Sequence, residues 1–305
     1  MERNRITSGN TRKATHSGSW YSDDAQLLDK QLHSWLENAI DKDQLREKSI
    51  HALIAPHAGF SYSAKTAGFA YSLIDPDQIN TIFLLGPSHK VYIKGCALSK
   101  NSFYATPLGN ISVDREITEK LKETGLFEEM SFDVDENEHS LELHLPFIHK
   151  TMSRKSNGNY SLVPILVGRP TKNNETQIAQ LLLPYLQDPK TLFIVSSDFC
   201  HWGSRFDFTP MDSKIPIHQY IKDLDKQGME LIERLNYKSF SDYLSLTGNT
   251  ICGRNAILLL LKVVEAKRDE YEFKFVKYDQ SSQVTDKRSS SVSYAAGVLF
   301  SAENE

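Results

Sequence analysis

Cysteine is scarce in this chain: three residues in 305, at positions 96, 200 and 252. An odd number with no close pair argues against a disulfide framework. The expectation is three free thiols in a reducing compartment, cytoplasmic and with the nucleus also open. Long apolar runs are missing too. None approaches the ~20 residues that cross a bilayer, and the first residues, MERNRITSGNTRKATHSGS, lack the apolar centre of a secretory signal. Charge of one sign is not in excess: 35 Lys and Arg against 39 Asp and Glu give a net charge of -4. That balance points to no nucleic acid and no inserted membrane segment as partner. Glycine and proline, 15 and 11 residues, are scattered and form no linker. Neither a phosphate-cradling loop nor a G-x-G-x-x-G turn occurs, so nucleotide binding has no motif behind it. A Ser-His-Asp set can be drawn from Ser196, Ser197, Asp198 and His201, but no G-x-S-x-G elbow presents the serine.

What is present is a pattern repeated three times. TLFIVSSDFCHWG (191–203) opens on a continuous apolar run, as a strand buried on both faces does, and ends in Ser196, Ser197 and Asp198 with His201 just beyond. HALIAPHAG (51–59) ends by delivering His57, and TIFLLGPSH (81–89) ends by delivering His89. Open α/β sheets keep their chemistry at the C-terminal ends of such strands. If the three strands are neighbours, His57, His89, Asp198 and His201 rim one cleft.

The rest of the chain supports a single α/β domain with a mainly parallel central sheet flanked by helices. Residues 1–11 are polar and read as a loose N-terminus, with the domain spanning 12–305. Ser22 or Asp23 is a good cap for a helix near 24–38, with Leu28, Leu32, Trp35 and Leu36 on one face. Further helices are expected near 64–73, 115–122, 175–183, 217–235, 239–246 and 256–266. Short strands and turns are expected over 91–113, a strand over 161–167 and a final strand pair over 273–278 and 291–300. The acidic stretch 128–138 shows no obvious strand, and 138–149 has helical spacing up to Pro146.

Cys252 opens the apolar helix that follows Thr250. A thiol there meets backbone N–H groups and the positive helix end, which predicts a lowered pKa. Two imidazoles and a thiolate suit a transition metal such as zinc, copper or iron. Taken singly, each residue has a plainer explanation: a satisfied loop histidine, a buried small hydrophobe, a helix cap. Asp198 is expected to orient an imidazole, and His201 to help move a proton. His139 and Glu142, three apart, with His144 beyond, line the same cleft or form a solvated helix face. Trp20 and Tyr62 are candidates for its wall, or plain core aromatics. Cys96 and Cys200 read as inert.

RKATHSGSWYSDD, APHAGFSYSAKTAGFAY, LLGPSHKVYIKGCALS, DENEHSLELHLPFI, VPILVG, SSDFCHWGSRF and TICGRNAI together resemble the Memo family (mediator of ErbB-driven cell motility). The motifs run in order over nearly the whole chain. The resemblance implies a fold similar to the class III extradiol dioxygenases, a nonheme iron group. It implies that His57, His89 and Cys252 bind metal, copper or iron, with Asp198 and His201 beside them. Those dioxygenases use two histidines and a glutamate; cysteine in the third place is softer and makes ring cleavage an unpromising expectation. The resemblance leaves two roles open: a metal-dependent redox protein, or an adaptor holding a phosphotyrosine peptide of a signalling protein in the same cleft.

Overall fold

The computed structural model describes residues 9–39 and 45–302. The first third of the chain gives β1 (Thr11–Arg12), α1 (Ala25–Glu37), β2 (Ile50–Ala55), α2 (Phe60–Tyr71) and β3 (Thr81–Pro87). Asp24 caps α1 by accepting from the Gln26 and Leu27 amides, one or two residues later than the sequence predicts. Next come β4 (Cys96–Leu98), β5 (Phe103–Thr106), β6 (Gly109–Ser112), α3 (Arg115–Glu123), β7 (Phe127–Glu129) and α4 (Phe132–Asn137). The acidic stretch thus holds part of a short edge strand and a helix capped by Ser131.

The helix expected over 138–149 is two helices, α5 (His139–Glu142) and α6 (Leu145–Met152). Pro146 opens α6 instead of ending a longer helix, because a residue without an N–H costs nothing in a first turn. The chain continues with β8 (Ser161–Val167), α7 (Lys172–Gln187), β9 (Thr191–Ser196) and β10 (His201–Trp202). Helix α7 runs on through Pro184, past the end read from the sequence. The last elements are α8 (Ile217–Glu233), α9 (Tyr237–Thr247), α10 (Arg254–Val264), β11 (Tyr271–Gln280) and β12 (Ser291–Ser301). Thr11 and Arg12 pair with β5 in a small separate sheet, so ordered structure begins inside the segment expected to be loose. Residues 1–8 of that segment lie outside the described residues.

Among the described residues the large sheet has nine strands in the order β10-β12-β2-β9-β3-β8-β4-β7, with β11 also on β12. Its centre, β2-β9-β3-β8, is parallel, and β12 and β4 run antiparallel on either side. Every residue of β2 and β9 is buried, which explains why both read as unbroken apolar runs. One face, carrying Phe83, Phe193 and Val195, packs under α7, α8, α9 and α10. The other, carrying Leu53, Leu84 and Ile194, packs under α1, α2 and α6. Helices α1 and α2 approach closely at Gly68, where an added Cβ would stand 2.7 Å from the Trp35 carbonyl oxygen. In this three-layer arrangement β2, β9 and β3 are adjacent and point the same way, so the segments leaving them open at one edge.

Candidate functional site

His57 follows β2 by two residues, His89 follows β3 by two and Asp198 follows β9 by two. Their hydrogen bonds decide which nitrogen of each ring faces the cleft. His57 Nδ1 lies 2.6 Å from Ser196 Oγ, and that hydroxyl donates to the Ser140 carbonyl at 2.7 Å. A hydroxyl has one proton, so His57 Nδ1 is the donor and Nε2 keeps its lone pair. His89 repeats the logic: Nδ1 stands 2.8 Å from Glu138 Oε1, and its backbone N–H donates to Oε2 at 2.7 Å. A carboxylate accepts here, so His89 Nδ1 carries the proton and Nε2 is the nitrogen not engaged by Glu138. Burial, with the neighbouring histidines, holds His57 well below the ordinary imidazole pKa, which keeps it neutral.

His139, the first residue of α5, stacks on His89 at 4.4 Å between ring centres, and Trp20 covers it at 4.5 Å. Its pKa falls to about 3, through burial and then the His89 ring. One nitrogen from each of His57, His89 and His139 lies within 4.8 Å of the others. The ligand atoms of His57, Asp198 and Cys252 form a second such set, and Cys252 Sγ is 3.3 Å from His57 Nε2. His57 is therefore common to both.

The expectation of an acidic Cys252 thiol is overturned. Burial and then the Asp198 charge push its pKa up, in spite of the Asp198 amide that donates to the sulfur at 3.3 Å. Cys252 precedes the cap residue Gly253, so it stands just outside the first turn of α10. Gly253 sits where any Cβ would lie 2.4 Å from the Ser196 carbonyl oxygen, and this lets the Cys252 loop close onto the end of β9. Among the described residues, the hydrogen bonds of the Asp198 carboxylate go to backbone amides and not to an imidazole. Its Oδ1 accepts from the backbone amides of His57 at 2.9 Å and Ala58 at 3.3 Å, so it fixes the loop, while Glu138 fixes a ring. His201 Nδ1 lies 2.9 Å from the Phe199 carbonyl and 3.1 Å from that of Thr250, and the ring belongs to neither ligand set.

Trp20 and Tyr62 are exposed, by 37% and 63%, and are not core aromatics. Glu142 neither lines the cleft nor faces solvent. It is fully buried, accepting from Arg12 at 2.7 Å, Tyr21 at 2.9 Å and the His16 backbone at 2.9 Å. His144 is buried as well, against the Tyr71 hydroxyl. Cys96 and Cys200 are buried and unbridged. Sequence reasoning missed Glu138, Ser196 as a ring partner, and Thr250, whose hydroxyl bridges the His201 backbone. Adjacency to His139 was the available signal for Glu138.

These burials set a pH response. Burial alone would raise Glu138 and Glu142, but their hydrogen bonds and ion pairs prevail and hold both at about 2. Folded values below the ordinary 4.5 give stability that is present above that pH and lost as pH falls towards 2. His144, held at about 3 by burial, stays neutral where the unfolded chain takes up a proton below 6.5. There too the unfolded state binds more protons, and stability rises with pH. Asp225, raised to about 6 by burial, works in the opposite sense as a single group. Urea midpoints are therefore expected to fall steadily from about pH 7 to about pH 4. A flat profile over that range contradicts the assignment.

A family model described as Memo-like protein matches residues 12–298. Protein memo-1 homolog of Caenorhabditis elegans is 46% identical over 296 residues, covering 95% of this chain and 83% of the relative. Protein MEMO1 of Homo sapiens is 44% identical over 292 residues, covering 94% and 97%. Protein MEMO1 of Danio rerio is 45% identical over 293 residues, covering 95% and 97%. Among solved structures, uncharacterized protein JW3007 from Escherichia coli K12 superposes with a TM-score of 0.44 at 14% identity, over 80% of this chain and 98% of that one.

Proposed function

Since this chain belongs to the Memo-like protein family, we propose that it is a metal-binding redox protein, holding copper or iron through His57, His89 and Cys252. The observation that carries the proposal is His57, whose Nδ1 is engaged by Ser196, whose Nε2 stands 3.3 Å from Cys252 Sγ, and which belongs to both ligand-capable sets. The residues fit such an ion. At metal–ligand lengths of ~2.0–2.3 Å, the ligands of a tetrahedral site stand roughly 3.3–3.8 Å apart. His89 and Cys252 fall in different sets, each within 4.8 Å and joined by His57, so His57, His89 and Cys252 reach one ion only when the two sets close together. The donors are two imidazoles and a thiol, which suit copper, iron or zinc. A bound copper or iron ion would supply one-electron redox chemistry and deprotonate the thiol. Ser196 and Glu138 hold the ring protons on the far nitrogens, Asp198 fixes the His57 loop, and His201 stands beside them as a group able to hold a proton. Ring cleavage is not part of the proposal, because a thiolate replaces the carboxylate expected of that chemistry.

In the cell this reading places the protein in metal homeostasis and in motility and cytoskeletal signalling, in the cytoplasm and nucleus. Metal analysis of the purified chain, with titration by Cu(I) and Fe(II), tests it. One equivalent bound supports it, and no binding of either ion overturns it. Glu138→Gln keeps the shape of the His89 partner but removes its charge. It is expected to lower metal affinity ~10–100-fold while the protein stays folded. Unchanged affinity would remove Glu138 from the site.

A second reading draws on exposed Trp20, which covers His139, and on exposed Tyr62. In it the protein is a non-catalytic adaptor, and the cleft receives a phosphotyrosine peptide. Peptide titration with and without metal separates the two, since an adaptor binds equally well in both.

A further inference from the structure

Asp225 lies in the middle of α8, fully buried. A carboxylate in such a place is costly unless it is paired. Among the described residues it has no cation partner. It is satisfied instead by hydrogen-bond donors from four directions. Its Oδ1 accepts from the Cys200 backbone N–H at 3.1 Å and from Asn249 Nδ2 at 3.0 Å. Its Oδ2 accepts from the Tyr278 hydroxyl at 2.9 Å, and the Ser293 hydroxyl also bonds to the carboxylate. Burial nevertheless lifts the carboxyl to about 6, so these donors only partly offset the loss of water.

What the donors belong to gives the arrangement its meaning. Cys200 is two residues beyond Asp198, and Asn249 is three residues before Cys252. One oxygen atom therefore ties the loop leaving β9 to the loop entering α10. Asn249 is held again by the Tyr243 hydroxyl at 2.8 Å, which itself donates to the Leu224 carbonyl at 2.7 Å. Thr250, next in sequence, clasps His201 by accepting from its N–H at 2.7 Å and donating to its carbonyl at 2.9 Å. Tyr278 and Ser293 anchor the same carboxylate to β11 and β12. A core filler would need none of this, and an apolar side chain would leave the Cys200 and Asn249 donors orphaned.

We infer that Asp225 is a positioning residue: through Cys200 and Asn249 it sets where the Cys252 thiol stands relative to His57 and Asp198. The inference rests on the metal-binding reading above and touches no ligand itself. It extends the site to α8, an element with no residue in the cleft.

Co(II), added to the full chain at one fixed pH, is the probe, because its spectrum reports both affinity and a thiolate-to-metal band. Asp225→Asn and Asn249→Ala, each checked as folded by circular dichroism, are each expected to weaken Co(II) binding about tenfold. Each should also diminish the thiolate band relative to the d–d bands. The double variant should bind no more weakly than the poorer single variant, since both act through one tie. A merely structural Asp225 would lower the melting temperature and leave the bound spectrum as it is. If Asp225→Asn binds Co(II) with wild-type affinity and band while Cys252→Ser loses the band, the metal reading stands and this inference falls. If Cys252→Ser itself retains wild-type affinity and band, the metal reading falls and the inference with it. Should Asp225→Asn fail to fold, Asn249→Ala carries the same test with the same two outcomes.

Discussion

Replacing Cys252 by serine is expected to lower Cu(I) affinity by at least ~100-fold, more than the ~10–100-fold that follows from removing a residue behind a ligand. Serine keeps the size of the side chain, and its hydroxyl can take over the contacts with the Asp198 amide and carbonyl. What it lacks is a soft sulfur, which Cu(I) prefers to an alcohol oxygen. Without metal the thiol is held neutral by burial and by Asp198, so a bound ion must displace its proton. Binding should therefore release a proton in the wild-type protein that the variant does not release. Calorimetric titration in two buffers of different ionisation enthalpy reads both effects at once. Cys96→Ala is the control, because Cys96 is buried in β4 and absent from both ligand sets. Unchanged Cu(I) affinity in Cys252→Ser would end the assignment and make the adaptor reading the first choice.

The second large effect is expected from Arg12→Met, in stability. Arg12 has no exposed surface, yet its guanidinium meets Glu142 at 2.7 Å and Asp135 at 3.3 Å. It also donates to the Asp135 carbonyl at 2.9 Å and the Glu138 carbonyl at 2.9 Å. Removing one member of a buried ionic cluster leaves uncompensated charge, at a cost of about 3–5 kcal/mol. That is a large share of the ~5–15 kcal/mol that holds a domain folded. Denaturant unfolding measures it. Adding Glu142→Gln to Arg12→Met should recover part of the loss, since one stranded charge is then gone. A loss below ~1 kcal/mol would mean that water reaches the cluster and solvates the carboxylates.

The central strands were legible because burial on both faces writes itself as an unbroken apolar run, and β8 matches its expected bounds, 161–167. His57, His89 and Cys252 were legible for a related reason: each stands where a regular element stops or starts. The supporting residues were not. Glu138 and Ser196 meet their imidazoles across 49 and 139 residues, and hydrogen bonds at such separations leave no period in the sequence. The pairing of His139 with Glu142 failed for a local reason. Three-residue spacing puts two side chains on one face of a continuing helix, but α5 is four residues long. It is capped by Glu138 at one end and followed at once by the Pro146 turn. Its last residue is drawn back to Arg12, and His139 is left in the cleft.

The strand order also governs how the protein is made. Strands β2 and β3 follow one another in the chain, yet β9 lies between them, and the other neighbour of β2 is β12. A nascent chain that has emerged as far as β3 therefore carries two apolar strands without their shared partner. The first half of the cleft waits for residues 191–196, and the outer edge of β2 for residues 291–301. Pairings between segments so distant in sequence form slowly, because much of the chain must be ordered before they are rewarded. In a cell, the growing chain will need shelter from aggregation until residues 291–301 have emerged.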